Sequence, residues 1–316
     1  MRALHVPAAG QAPQLAELPI PEVTDGQVLI RVKAAGLNPL DNGVAAGALT
    51  GMLPHEYPLI LGRDAAGVVE AVGAGVEHVQ PGDEVIGHVL LAPPIRQGTL
   101  AEFALLPAEA VALKPAGLSF AAAAALPLAG AAAVATIDAV DAQPGQVVLV
   151  NGATGGVGSF AVQLLAARGV TVVATGTATD AERLSQLGAT TVVDHTGEPV
   201  AEQVRAVYPD GVDALIDLAS TDAATAPLGA VRKGGRVAAL SSVAGLEDAL
   251  AEAGLTGGGL LARAAREVTG PLAEQAADGS LAVDVTTVLP FDRATEGLAA
   301  LAAGHARGKT VITIQD

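Results

Sequence analysis

Gln146-Val147-Val148-Leu149-Val150-Asn151-Gly152-Ala153-Thr154-Gly155-Gly156-Val157-Gly158, running on through Ser159 to Arg168, decides how this chain is read. The apolar run from Val147 to Val150 is short and mostly β-branched, as a doubly buried parallel strand requires. Glycines follow at 152, 155, 156 and 158, and Phe160, Val162, Leu164 and Leu165 then carry a helical pattern. Strand, glycine turn and helix in this order make a nucleotide-phosphate site. The turn must be tight, the backbone must approach a pyrophosphate, and the helix must pack close to the strand. Free N–H groups of the first helical turn face the anion, helped by the positive end of the helix dipole. Ala153-x-Gly155-x-x-Gly158 fits the dinucleotide fingerprint with Ala in place of the first glycine. The expected cofactor contacts here are Gly152, Ala153, Thr154, Gly155, Gly156, Val157 and Gly158.

Outward from this stretch, strands and helices alternate. Strands are expected at 147–150, 170–174, 191–194, 212–218 and 236–240, with helices near 156–168, 180–187, 198–207 and 222–232. Residues 258–263 are a weaker sixth strand, and 121–138 is helical by composition. This alternation means a parallel sheet wound on both faces. Toward the N-terminus, short runs at 28–34, 66–72, 83–89 and 100–106 are punctuated by Gly and Pro, which suggests a β domain of barrel type. Strands at 283–289 and 310–314, with a helix at 292–303, return to that character. The expected organisation is a β domain from 1–118 and 282–316, interrupted by a nucleotide domain at 119–281.

Composition narrows the class. The 316 residues are 51% hydrophobic but only 2% aromatic, so small aliphatics fill the core. The absence of cysteine excludes disulfides, thiolate metal ligands and a cysteine nucleophile. A net charge of −16 argues against a nucleic-acid partner. Residues 119–137 are nearly free of polar groups, but mostly alanine and broken by Pro127 and Gly130, so a buried helix is expected rather than a membrane span. With no signal-like N-terminal segment, the chain is expected to be soluble and cytoplasmic.

Four motifs then carry a resemblance. They are Ala35-Gly36-Leu37-Asn38-Pro39-x-Asp41, Leu61-Gly62-Arg63-Asp64-Ala65-Ala66-Gly67-Val68-Val69 with Val72-Gly73, Pro81-Gly82-Asp83-Glu84-Val85, and the 151–163 stretch. In this order and spacing they resemble the medium-chain dehydrogenase/reductase superfamily, in its zinc-free quinone oxidoreductase branch, over essentially the whole chain. The resemblance implies a GroES-like β domain, an inserted Rossmann domain, and reduction by NADPH of a quinone or an α,β-unsaturated carbonyl in the cleft between them. It also suggests a homodimer through the last Rossmann strand. Zinc-dependent relatives place ligands where this chain has Asn38 and Arg63, so no metal is expected. Tyr57 and Tyr208 lack a lysine four residues on, against the short-chain class, and Gly158-Ser159-Phe160 is no hydrolase elbow.

In the family, the loop of Asn38 and Asp41 faces the nicotinamide. Asn38 is the candidate for contact with a cofactor or substrate carbonyl, and Asp41 for holding the loop; the alternative is that both cap turns beside Pro39. Arg63 orients substrate or pairs with Asp41 or Asp64. Ala219, Ser241 and Ser242 end the fourth and fifth strands on the carboxyl edge, where open α/β sheets bind ligands. Lys309 contacts the cofactor or is simply solvated. No carboxylate follows the second strand, where NAD-specific sheets carry one, so NADP(H) is expected, with Thr175, Gly176, Thr177 and Arg183 around the 2′-phosphate. Gly43 and Ala45 stand where many quinone reductases carry Tyr and Arg, which weighs against a quinone as the substrate. The rival reading is an NADPH-binding redox sensor or structural protein with little turnover.

Overall fold

The computed structural model describes residues 1–240, 243–304 and 307–315. The chain forms two compact units, Met1–Ala131 with Arg263–Asp316, and Ala132–Ala262. Both boundaries differ from the expected 118/119 and 281/282. At the second of them, the helix Arg266–Asp278 packs on the strand Val111–Leu113 of the first unit. Its Leu272 also fills the space beside Gly130, where a Cβ would come within 2.7 Å of it. Gly270-Pro271 in its middle hid this helix from the periodicity of the sequence.

The first unit is built around the strand Gln27–Gly36. It pairs antiparallel with Asp64–Val72, Phe103–Pro107 and Lys309–Thr313, so both chain ends meet on it. Glu84–His88 and Val111–Leu113 extend the sheet on one side, and Val285–Pro290 joins parallel to Lys309–Thr313 on the other. A separate three-stranded sheet holds Gln14–Glu17, Arg2–Val6 and Leu59–Ile60. The core beneath is aliphatic, with Leu4, Ile30, Val32, Leu59, Leu61, Leu100, Leu106 and Ile312 all inaccessible or nearly so. Each such side chain contributes about 1.5–3 kcal/mol by burial.

The second unit is a six-stranded parallel sheet. Numbered in chain order, its strands are Val147–Asn151, Thr171–Gly176, Thr191–Asp194, Val212–Asp217, Val231–Leu240 and Thr256–Leu260, and they lie in the order 3-2-1-4-5-6. This is the doubly wound dinucleotide arrangement. The sixth strand is present despite its three glycines. Two expected helices differ. Residues 222–232 form two single 3₁₀ turns, Ala223–Thr225 and Leu228–Ala230, with Pro227 between them. The 121–138 helix is two helices, Phe120–Ala124 and Pro127–Ala139, because Pro127 cannot continue the first. Among the described residues no helix is long and apolar enough to cross a membrane.

Candidate active site

The glycine turn sits at the carboxyl end of the first strand of the second unit. Gly152 has φ +85°, a conformation costly to any residue with a Cβ. Gly158 lies so close to the preceding backbone that a Cβ would come within 2.3 Å of Gly152 O and 2.6 Å of Ala153 Cα. Gly155 is the N-cap of the helix Gly156–Ala167, and its φ is −77°. Positive φ is therefore a demand on Gly152, not on Gly155. A Cβ on Gly155 would meet nothing nearer than Gly152 O at 3.5 Å, so this side of the turn is open. The turn thus has a strained corner, a packed floor and an open rim, which is the shape a pyrophosphate requires.

A polar network ties the turn to three strand ends. Gly152 N donates to Thr175 Oγ1 at 2.8 Å, and that hydroxyl donates to Asn151 Oδ1 at 3.2 Å. Asn151 Nδ2 donates to Asp217 Oδ1 at 2.9 Å, which also accepts from the N–H groups of Ala219 and Ser220 at 3.1 Å each. Ala219 therefore stands at the carboxyl edge as expected, its Cβ place beside Gly152. Thr175 is buried and its one proton is spent on Asn151. Thr177 likewise donates to Asp180 Oδ2 at 2.6 Å. Neither hydroxyl is free to donate to a 2′-phosphate, contrary to expectation. Gly176 is required for packing, since a Cβ would fall 2.7 Å from Leu184 Cδ1. Arg183 reaches Thr154 O with both terminal nitrogens, at 3.5 and 3.4 Å, which brings its charge to the glycine turn. Ser241 and Ser242 lie outside the described residues.

The first unit holds a buried charged cluster. Asn38 and Asp41 form a capping box on the helix Pro39–Ala45, with Asn38 N donating to Asp41 Oδ2 at 2.8 Å. Asp41 thus holds the loop. Burial, only partly offset by that backbone hydrogen bond and by Arg63, raises its pKa from 3.8 to about 7. Asn38 makes its contacts inward: Nδ2 donates to Asp64 Oδ2 at 2.9 Å, and Oδ1 accepts from Lys309 Nζ at 2.6 Å. Lys309 is buried, not solvated, and also donates to Leu37 O at 2.9 Å. Asp64 is the hub. It accepts from Leu128 N and meets His88 Nδ1 at 2.7 Å. His88 was not legible as a site residue; it arrives because strand pairing sets it directly opposite Asp64. Arg63 is 1% exposed, and its Nε and Nη2 have no hydrogen-bond partner among the described residues. Burial lowers its pKa, with Asp41 and Asp64 opposing the shift.

Known proteins resemble the chain along most of its length. Residues 24–116 match the alcohol dehydrogenase GroES-like domain, and 187–312 match the zinc-binding dehydrogenase family. The mouse protein named NAD(P)H oxidoreductase RTN4IP1, mitochondrial, is 32% identical across 91% of this chain and 82% of its own length. This chain belongs to the medium-chain dehydrogenase/reductase superfamily. Other medium-chain members agree. NADPH-dependent alkenal/one oxidoreductase, chloroplastic, from Arabidopsis thaliana is 32% identical over 93% of this chain and 73% of that protein. The quinone oxidoreductase structure from Coxiella burnetii superposes with a TM-score of 0.88 at 27% identity, covering 100% of this chain and 99% of that one. The chain falls in the quinone oxidoreductase branch of the superfamily.

The family description raises zinc, and the residues do not fit it. The loop position carries a neutral amide already bound to an ammonium, and a buried guanidinium stands at Arg63. Zinc needs converging anionic or neutral donors, and two cations in the cluster oppose it. Among the described residues no three His, Cys, Asp or Glu converge as a metal site would require.

Proposed function

We propose that the chain uses NADPH to reduce a small conjugated acceptor, an α,β-unsaturated carbonyl or a quinone, without a metal. It is an oxidoreductase of the medium-chain type, and its cofactor is NADP(H). The glycine turn carries the reading: Gly152 strained, Gly158 packed and Gly155 the N-cap of a helix set the turn at a helix N-terminus. Residues 152–158 would hold the pyrophosphate, and Arg183 would supply positive charge beside Thr154. When bound, the dihydronicotinamide supplies a hydride to the acceptor. The chain's own part is to orient the two reactants and to meet the negative charge that the acceptor gains. Arg63 and Lys309 are cations buried in the first unit, where charge is felt more strongly than in water. The names of the relatives support the acceptor class, alkenals and enones for one and quinones for another.

The test is NADPH oxidation by chelator-treated protein across a series of quinones, enals and enones. Turnover of at least one conjugated acceptor is expected, undiminished by removal of metal. Tight NADPH binding with no turnover of any acceptor would favour the redox-sensor reading instead.

A further inference from the structure

A hydride leaving a dihydronicotinamide takes two electrons with it, so that end of the cofactor gains one unit of positive charge. A fixed negative charge nearby favours the oxidised form and the transfer that leads to it. The nucleotide unit holds such a charge in Asp217, the last residue of its fourth strand. A sheet of order 3-2-1-4-5-6 has two mononucleotide halves, and a dinucleotide binds across its carboxyl edge where the order reverses, between strands 1 and 4. Asn151 ends strand 1, and Asp217 stands level with it across that reversal, with Ala239 of strand 5 on the other side. The adenosine end belongs with strand 2, which Arg183 follows on the helix Ala181–Gln186. The nicotinamide end then belongs with strand 4. Within this one unit a cation and an anion therefore flank the glycine turn on its two sides.

Asp217 is 2% exposed, and the donors it meets are all neutral. Oδ1 accepts from Asn151 Nδ2 at 2.9 Å and from Ala219 N and Ser220 N at 3.1 Å each. Oδ2 is buried and makes no hydrogen bond among the described residues. Bracing the turn thus occupies one oxygen, which a neutral carboxamide could supply as well. The charge exceeds what bracing requires, although desolvating it costs stability. In a buried place it acts over a longer distance than it would in water.

We infer that Asp217 sets the redox-state preference of the cofactor site, its charge favouring NADP⁺ over NADPH and so promoting release of the hydride. The inference rests on the NADP(H) reading above. Asp217 acts through its field and needs no contact with the nicotinamide, so it is a positioning residue in the electrostatic sense: it biases where charge settles.

Three ligands titrated into the cofactor-free protein by calorimetry separate charge from bracing: NADPH, NADP⁺, and 2′-phospho-ADP-ribose, which lacks the nicotinamide. Asp217→Asn is isosteric. Its carbonyl oxygen can keep the three donors, and its amide nitrogen then takes the place of the unpartnered Oδ2. It should weaken NADP⁺ binding about ten-fold while NADPH and 2′-phospho-ADP-ribose stay within about three-fold of wild type. Asp217→Glu keeps the charge and should keep the wild-type ratio of the NADP⁺ and NADPH dissociation constants, whatever it does to the turn. If the asparagine variant does not fold, Asp217→Ser also removes the charge and should shift that ratio in the same direction. Equal weakening of all three ligands would show that Asp217 only braces the turn and would overturn the inference. An unchanged ratio in a folded variant without the charge would overturn it too. Wild type that binds none of the three would instead defeat the NADP(H) reading itself.

Discussion

The two units each bury a polar network, but they are made differently. In the nucleotide unit an amide and a hydroxyl link Gly152 to one carboxylate, Asp217, and the participants sit at strand ends beside the turn they brace. In the β unit a carboxylate hub meets an amide, a histidine and, through Asn38, an ammonium, and a second carboxylate and a guanidinium whose Nε and Nη2 lack partners among the described residues complete the cluster. The first network positions backbone; the second concentrates charge. Hydrogen bonds to one carboxylate tolerate loss at modest cost, whereas buried cations left without their counter-charge do not.

Breaking each hub measures that difference. Asp64→Ala strands Lys309 and Arg63 and should cost about 3–5 kcal/mol in urea unfolding. Asp217→Ala should cost about 1–3 kcal/mol, since it leaves an amide and two backbone N–H groups unpaired. Equal losses would show that charge is not what separates the networks. Within the turn, Gly158→Val forces a side chain onto Gly152 O and should destabilise by about 3 kcal/mol or more. Gly155→Val brings its Cβ only into ordinary contact with Gly152 O, at 3.5 Å. It should leave stability within about 0.5 kcal/mol while lowering NADPH affinity ten-fold or more, read by fluorescence titration.

Asp41 sharpens the comparison through pH. Its folded pKa, about 7, lies above the ordinary 3.8, so the folded state holds the proton longer than the unfolded state does. The stability this provides is complete below about pH 4 and is lost as pH rises toward 7. Asp41→Asn cannot ionise, so its unfolding midpoint should fall less than that of wild type between about pH 4 and about pH 7. Parallel pH profiles would refute the assignment. The smallest effect is expected at Arg183. With Thr175 and Thr177 engaged internally, Arg183→Ala should reduce the kcat/KM preference for NADPH over NADH by only about two- to five-fold, given a partly exposed charge.

What was readable in the sequence follows the same division. The turn, the strand alternation and the role of Asp41 are local, set by spacing within a few residues. Lys309 and Asn38 are 271 positions apart, and nothing at either place announces the other. His88 looks like one more residue of a buried strand until its pairing with Asp64 is known. Thr175 and Thr177 were placed correctly near the sheet edge, but their hydroxyl partners depend on side-chain directions that a strand pattern does not give. The helix Leu246–Ala253 is marked in the sequence only by Glu247 and Asp248 in its first turn.

The discontinuity of the β unit has a consequence for how the protein is made. The nucleotide unit runs unbroken from Ala132 to Ala262 and is complete while the tail of the β unit is still unsynthesised. At ribosomal speeds, roughly 10–40 s separate the emergence of the first β segment from that of Lys309. In that interval Asp64 lacks its lysine, and Gln27–Gly36 lacks the strand that will pair along it. The middle of the chain can fold on the ribosome; the β unit is completed last.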